Sequence, residues 1–129
     1  IALATDGNFK DTDVIVPVPL HPKKLKFRGY NQSEWIARGI ASGLNREIMV
    51  NKLIRTSHSS TQTKKNRYER WKNVEEIFDI TDPDYFSGKH ILLVDDVVTT
   101  GSTLDACASQ LLKIQGCSVS IATLAFAEM

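Results

Sequence analysis

Long apolar runs are missing from this chain of 129 residues. No stretch approaches the roughly 20 residues that a membrane-spanning helix needs, and no signal-peptide pattern is visible. No membrane is therefore expected, and the cytoplasm is the default location. Cysteine is scarce: only Cys107 and Cys117 are present, and neither has a companion at metal-ligand spacing. Both are expected to be buried free thiols, since a lone Cys packs like a small hydrophobe. The three histidines, His21, His58 and His90, stand beside different elements and make no metal spacing. Absent motifs narrow the chemistry further. Without G-x-x-x-x-G-K there is no Walker A loop, and without G-x-G-x-x-G there is no dinucleotide fingerprint.

Charge is present and unevenly spread. A net value of +1 conceals a basic segment: between Pro22 and Lys72 there are 13 Lys and Arg against 3 Glu, a local +10. The rest of the chain is acidic. Such a split suits a polyanionic ligand at the basic segment. It does not by itself separate a pyrophosphate from a nucleic acid.

Along the chain, Asp13 to Leu20 (DVIVPVPL) is rich in β-branched residues and predicts a strand. Pro17 and Pro19 should let it fade into a loop, and the basic stretch HPKKLKFRGYNQ continues that loop. Ile36, Ile40 and Leu44 share a helix face, with Asn31 and Glu34 as a capping box at its start. Ile48 to Arg55 predicts a second strand, and RYERWKNVEEIF a short helix carrying Tyr68 and Trp71 on one side. Trp35 and Trp71 are expected to pack beside the core. Asp82-Pro83 marks a turn, with Asp82 and Asp84 solvated. Thr103 to Ile114 has helical spacing, Gly116 fits its C′ cap, and CSVSIATLAFA closes as a strand. Two strand–helix–strand units predict one α/β domain over residues 1–129, a doubly wound, mainly parallel sheet. Its ligand crevice should lie between the loops that follow Leu20 and Val94.

The most informative stretch is ILLVDDVVTTGST, residues 91–103. Ile91 to Val94 reads as a strand buried on both faces. Asp95 and Asp96 stand where it should end, and Thr99, Thr100, Gly101, Ser102 and Thr103 lead into the helix. Backbone N–H groups, hydroxyls and the positive end of a helix dipole suit a phosphate, and Gly101 permits close approach. Two carboxylates nearby accept from sugar hydroxyls or lie near a hydrated Mg²⁺. Together they suggest a phosphorylated sugar.

VDDVVTTGST resembles the signature of the type I phosphoribosyltransferases for 5-phosphoribosyl 1-pyrophosphate (PRPP). The resemblance implies the type I phosphoribosyltransferase fold, with Asp95 and Asp96 on the ribose 2′- and 3′-hydroxyls and Thr99 to Thr103 on the 5′-phosphate. Two further stretches, VPVPLHPKKLKFRGYNQSE and TQTKKNRYERWKN, resemble the ComF/GntX type within that family. Members commonly carry an upstream zinc ribbon of four cysteines, which is not found here: either it lies outside this stretch or the protein lacks it. The chain begins at Ile1 without a Met and is expected to be the C-terminal part of a longer protein.

The family chemistry assigns the remaining roles. It implies transfer of ribose 5-phosphate from PRPP, carried with Mg²⁺, to a nitrogen nucleophile, and it adds no direct protein ligand for the metal. Arg28 is expected to hold the pyrophosphate, because a guanidinium grips phosphate oxygens bidentately. Lys64, Lys65 and Arg67 match the family's flexible loop and are expected to close over the site as a flap. Nothing nominates the acceptor. Rival readings are a non-catalytic accessory of DNA uptake that binds PRPP or single-stranded DNA through the basic segment, and a PRPP-sensing regulator, although no helix-turn-helix is visible. A homo-oligomer is possible, and the sequence does not decide it.

Overall fold

The computed structural model describes residues 9, 11–56, 77–98 and 100–127. The elements in order are β1 (Val14–Pro17), α1 (Pro22–Arg28), α2 (Gln32–Leu44), β2 (Glu47–Ile48), β3 (Leu53–Thr56), β4 (Ile77–Ile80), α3 (Pro83–Phe86), β5 (His90–Val98), α4 (Ser102–Leu112) and β6 (Ser118–Phe126). Four strands form a wholly parallel sheet in the order β2-β1-β5-β6, and β3 pairs antiparallel with β4 apart from it.

The apolar strands explain this arrangement. Successive side chains of a strand point to opposite faces, so a run without polar residues needs cover on both. Val14, Val16, Ile91 and Leu93 meet Leu104, Cys107 and Leu111 of α4 together with Leu53, Phe78 and Phe86. Ile15, Leu92 and Val94 meet Ala37, Ile40 and Ala41 of α2 on the other side. The α/β class and the mainly parallel sheet stand as read.

Several local readings change. HPKKLKFRGYNQ is not all loop: the His21 ring nitrogen accepts from Lys23 N, Pro22 opens α1, and Gly29 closes it at φ +89°. This short helix buries none of its residues. Ile48 to Arg55 is not one strand, because its two ends enter different sheets as β2 and β3. Of the helix expected over RYERWKNVEEIF, residues up to 76 lie outside those described, and Ile77 and Phe78 belong to β4. The capping box is half made. Asn31 accepts from Ser33 N, while the Glu34 carboxylate pairs with Arg38 at 2.8 Å. Trp35 points outward, 67% exposed, because it lies opposite the buried Ser33–Ala37–Ile40–Ala41 face of α2. Asp82 stands at the N-cap position of α3, its side chain bonding Lys52 at 2.9 Å rather than the helix. Gly116 lies beyond the end of α4, where its φ of +75° closes a later turn. Among the described residues no helix is long and apolar enough to cross a membrane.

Candidate functional site

The chain leaves β1 for β2 on one side and returns through β5 on the other. Strand order therefore reverses between β1 and β5, the place where open α/β sheets bind ligands. Their register runs from Val14 opposite Ile91 to Pro17 opposite Val94, and Val18 N still donates to Val94 O at 2.8 Å. Beyond that bond β1 departs. The predicted crevice is at this rim.

Asp95 and Asp96 do not end their strand, as the sequence suggested. β5 continues beside β6 to Val98, with Asp95 opposite Thr123 and Val98 opposite Phe126. The acid pair instead stands just past the end of β1, where one edge of β5 is released. Asp95 is half-buried. Its Oδ1 accepts from Asp96 N at 2.9 Å and from the Ser33 hydroxyl at 3.0 Å. Burial pushes its carboxyl above the usual range, the neighbouring Asp96 works the same way, and those two hydrogen bonds oppose them. Asp96 Oδ1 accepts from Val97 N at 2.8 Å.

The turn that follows is built for close approach. Gly101 sits at φ +82° and caps α4, its carbonyl accepting from Asp105 N at 2.9 Å. The Thr100 hydroxyl lies 3.0 Å from that of Ser102 and accepts from Ser102 N. Asp95, Thr100, Gly101, Ser102 and Thr103 line one cavity of about 40 Å³. Asp95 and the turn before α4 thus face a shared space. A larger hollow adjoins it between α4 and β6, sharing Thr100, Gly101 and Ser102, and another lies at the far end of α4.

Residues 32–128 match the phosphoribosyl transferase domain. The chain belongs to that family. Among curated proteins it is similar to competence protein F of Haemophilus influenzae, 32% identical over 103 residues, covering 79% of this chain and 45% of that protein. It is also similar to the DNA utilization protein YhgH of Escherichia coli, 33% identical over 109 residues, covering 84% of this chain and 47% of that protein. These relatives make it a ComF-type member, and the chain spans about half their length. An adenine phosphoribosyltransferase shares the fold, with a TM-score of 0.62 at 15% identity over 97% of this chain and 64% of that one.

Other residues that the resemblance to phosphoribosyltransferases singled out are less gathered. Arg28 ends α1 on the surface, where its Nη1 donates to Gln32 Oε1 at 3.4 Å. Thr99, Lys64, Lys65 and Arg67 lie outside the described residues. Two residues at the crevice, Ser33 and Arg55, escaped the sequence, and the bond of a third, Asn31, to the β1 exit did too. The Asn31 amide donates to Val18 O at 3.1 Å, and Ser33 reaches Asp95. Arg55 on β3 donates to Pro19 O at 3.3 Å, with its guanidinium 5.0 Å from the Phe78 ring centre. Burial lowers its pKa, while Cys107 and Asp95 act to raise it. Asn31 was legible as a cap. For Ser33 and Arg55 no local signal existed, because each meets its partner only through the fold.

Proposed function

We propose that this phosphoribosyltransferase domain binds PRPP and passes its ribose 5-phosphate to a nitrogen nucleophile, releasing pyrophosphate. The observation that carries this reading is the cavity that Asp95 shares with residues 100–103, at the reversal of strand order. N–H groups and hydroxyls of Thr99 to Thr103 take the 5′-phosphate at the start of α4. Asp95 and Asp96 accept from the ribose hydroxyls. Arg28 takes the pyrophosphate bidentately, and Lys64, Lys65 and Arg67 approach as the covering flap. The displacement is dissociative. The C1′–O bond breaks first, its electron pair leaves on pyrophosphate, and the nitrogen lone pair then closes on C1′ as the nitrogen's proton passes to water. Fixed cations stabilise the charge returning to the leaving group.

Magnesium fits as a companion of the substrate. Among the described residues no three His, Cys, Asp or Glu gather into a metal-holding group. Asp95 and Asp96 each have one oxygen bonded to a backbone N–H. Such a donor set suits a hydrated Mg²⁺ carried on PRPP oxygens rather than a protein cage. Bound there, the ion supplies charge neutralisation of the pyrophosphate.

Calorimetric titration with PRPP, with and without Mg²⁺ and with ribose 5-phosphate as control, tests the reading. Mg²⁺-dependent PRPP binding that is lost in Asp95→Asn with Asp96→Asn is expected. Unchanged affinity in that double variant sinks the site assignment.

A second reading is supported by α1. It buries none of its residues, carries Lys23, Lys24, Lys26 and Arg28, and holds Phe27 96% exposed. Cations beside an exposed ring suit single-stranded nucleic acid, where phosphates pair and bases stack, and one relative is named for DNA utilization. Binding to a single-stranded oligonucleotide that falls steeply with salt, and is lost on neutralising the three lysines, is expected of this accessory role. Binding indifferent to both excludes it.

A further inference from the structure

We propose that Ser33 is a positioning residue for the sugar site: its hydroxyl, delivered by the first turn of α2, holds the Asp95 carboxylate in the orientation that meets a ribose hydroxyl. The ligand in this inference rests on the PRPP reading above; the hydrogen bond itself does not.

Ser33 is 4% exposed, and it occupies the second position of α2. Burying a hydroxyl is unfavourable unless it is bonded, and this one donates to Asp95 across 62 residues of sequence. Ser33 N donates in turn to Asn31 Oδ1, while the amide of Asn31 holds Val18 O. One helical turn thus fastens both walls of the crevice, the exit of β1 and the acid of β5. Two donors converge on a single oxygen of Asp95, from Ser33 and from Asp96 N. Rotating the carboxyl group breaks both bonds, so these two donors fix its plane beside the Asp96 carboxyl. A hydrogen bond to a charged acceptor is among the stronger ones. The titratable groups facing Asp95 are Asp96 on β5, Arg55 on β3 and Cys107 on α4, and none of them supplies this contact from α2.

The test uses Ser33→Ala, which suits a helical position in its propensity, alone and in an Asp95→Asn background. Carboxyl ¹³C NMR follows the Asp95 titration, and calorimetry follows PRPP. Removing the hydroxyl is expected to raise the Asp95 midpoint, because the bond favours the charged form. It is also expected to weaken PRPP binding by about tenfold, an effect that disappears in the Asp95→Asn background. An unmoved midpoint, or the same loss of affinity with Asn at position 95, overturns the proposal. Should the unaltered protein bind no PRPP, the functional reading fails, and the midpoint alone decides the role of Ser33.

Discussion

The Asn31 side-chain amide donates to the Val18 carbonyl at 3.1 Å, while its oxygen accepts from Ser33 N at 3.0 Å. One residue thereby caps α2 and holds the loop that leaves β1. Asn31→Ala removes both bonds, and about 2 kcal/mol of stability should go with them, half from the cap and half from the amide. Asn31→Asp keeps the cap and loses the donor, so about 1 kcal/mol is expected. Urea unfolding midpoints give the comparison. A larger loss for Asp than for Ala means that a carboxylate against the Val18 carbonyl outweighs the cap.

Gly101 and Gly116 both have positive φ, +82° and +75°, but differ in the space around them. A Cβ on Gly101 meets nothing within 4 Å, whereas on Gly116 it comes within 3.1 Å of Gly88 Cα. Gly101→Ala should therefore cost about 1 kcal/mol from the backbone alone. Gly116→Ala should cost about 2 kcal/mol or more, since overpacking against backbone adds to the strain. Ligand affinity should separate them the other way, since only Gly101 lies in the turn proposed to take the 5′-phosphate. Equal losses of stability by thermal melting would show that the approach to Gly88 is relieved by a small shift.

Much of the sheet was legible because its strands are written locally. Four apolar residues at 91–94 demand cover on both faces; Leu104, Cys107 and Leu111 repeat at helical spacing to give it on one, and α2 gives it on the other. The turn at Gly101 needed only its own sequence. What stayed hidden depends on distant partners. Ile48 to Arg55 carries no local sign that its ends enter different sheets. α1 lacks the apolar stripe that announces a helix, since it buries nothing, and its signals were the His21 cap, Pro22 and Gly29. The Ser33–Asp95 contact spans 62 residues, and no spacing rule connects a serine in one element to an acid in another. The acids themselves were legible, but their setting was not: β6 extends β5 past them.

The thiols should differ in reactivity. Cys107 is fully buried on the sheet-facing side of α4, and burial pushes its thiol up to about 12. Cys117 is only partly covered, and burial raises it as well. Because the thiolate is the nucleophile, Ellman's reagent at about pH 8 should label Cys117 slowly in the folded protein and leave Cys107 untouched. Adding denaturant should release the second equivalent. Prompt labelling of Cys107 without denaturant means that the α4 face of the sheet opens readily.

Asp95 gives stability a pH dependence of known sign. Burial holds its folded carboxyl above the usual carboxylate range, so between the unfolded and folded midpoints the native state binds more protons than the unfolded one. Stability then falls as pH rises through that window, and it is fully present only below the unfolded value. Asp96 beside it reinforces the effect, the bonds from Asp96 N and Ser33 oppose it, and Arg55 and Cys107 are the other titratable groups facing it. Asn at position 95 keeps an oxygen for both donors without the charge. Asp95→Asn should therefore match the unaltered protein in acid and exceed it in stability at neutral pH, while binding PRPP more weakly, as expected where a functional site is kept at the expense of the fold. Urea unfolding of both proteins from about pH 3.5 to about pH 8 checks this. A difference that stays flat or changes sign across the range means that the hydrogen bonds from Ser33 and Asp96 outweigh burial, and that Asp95 is held as a carboxylate by its neighbours.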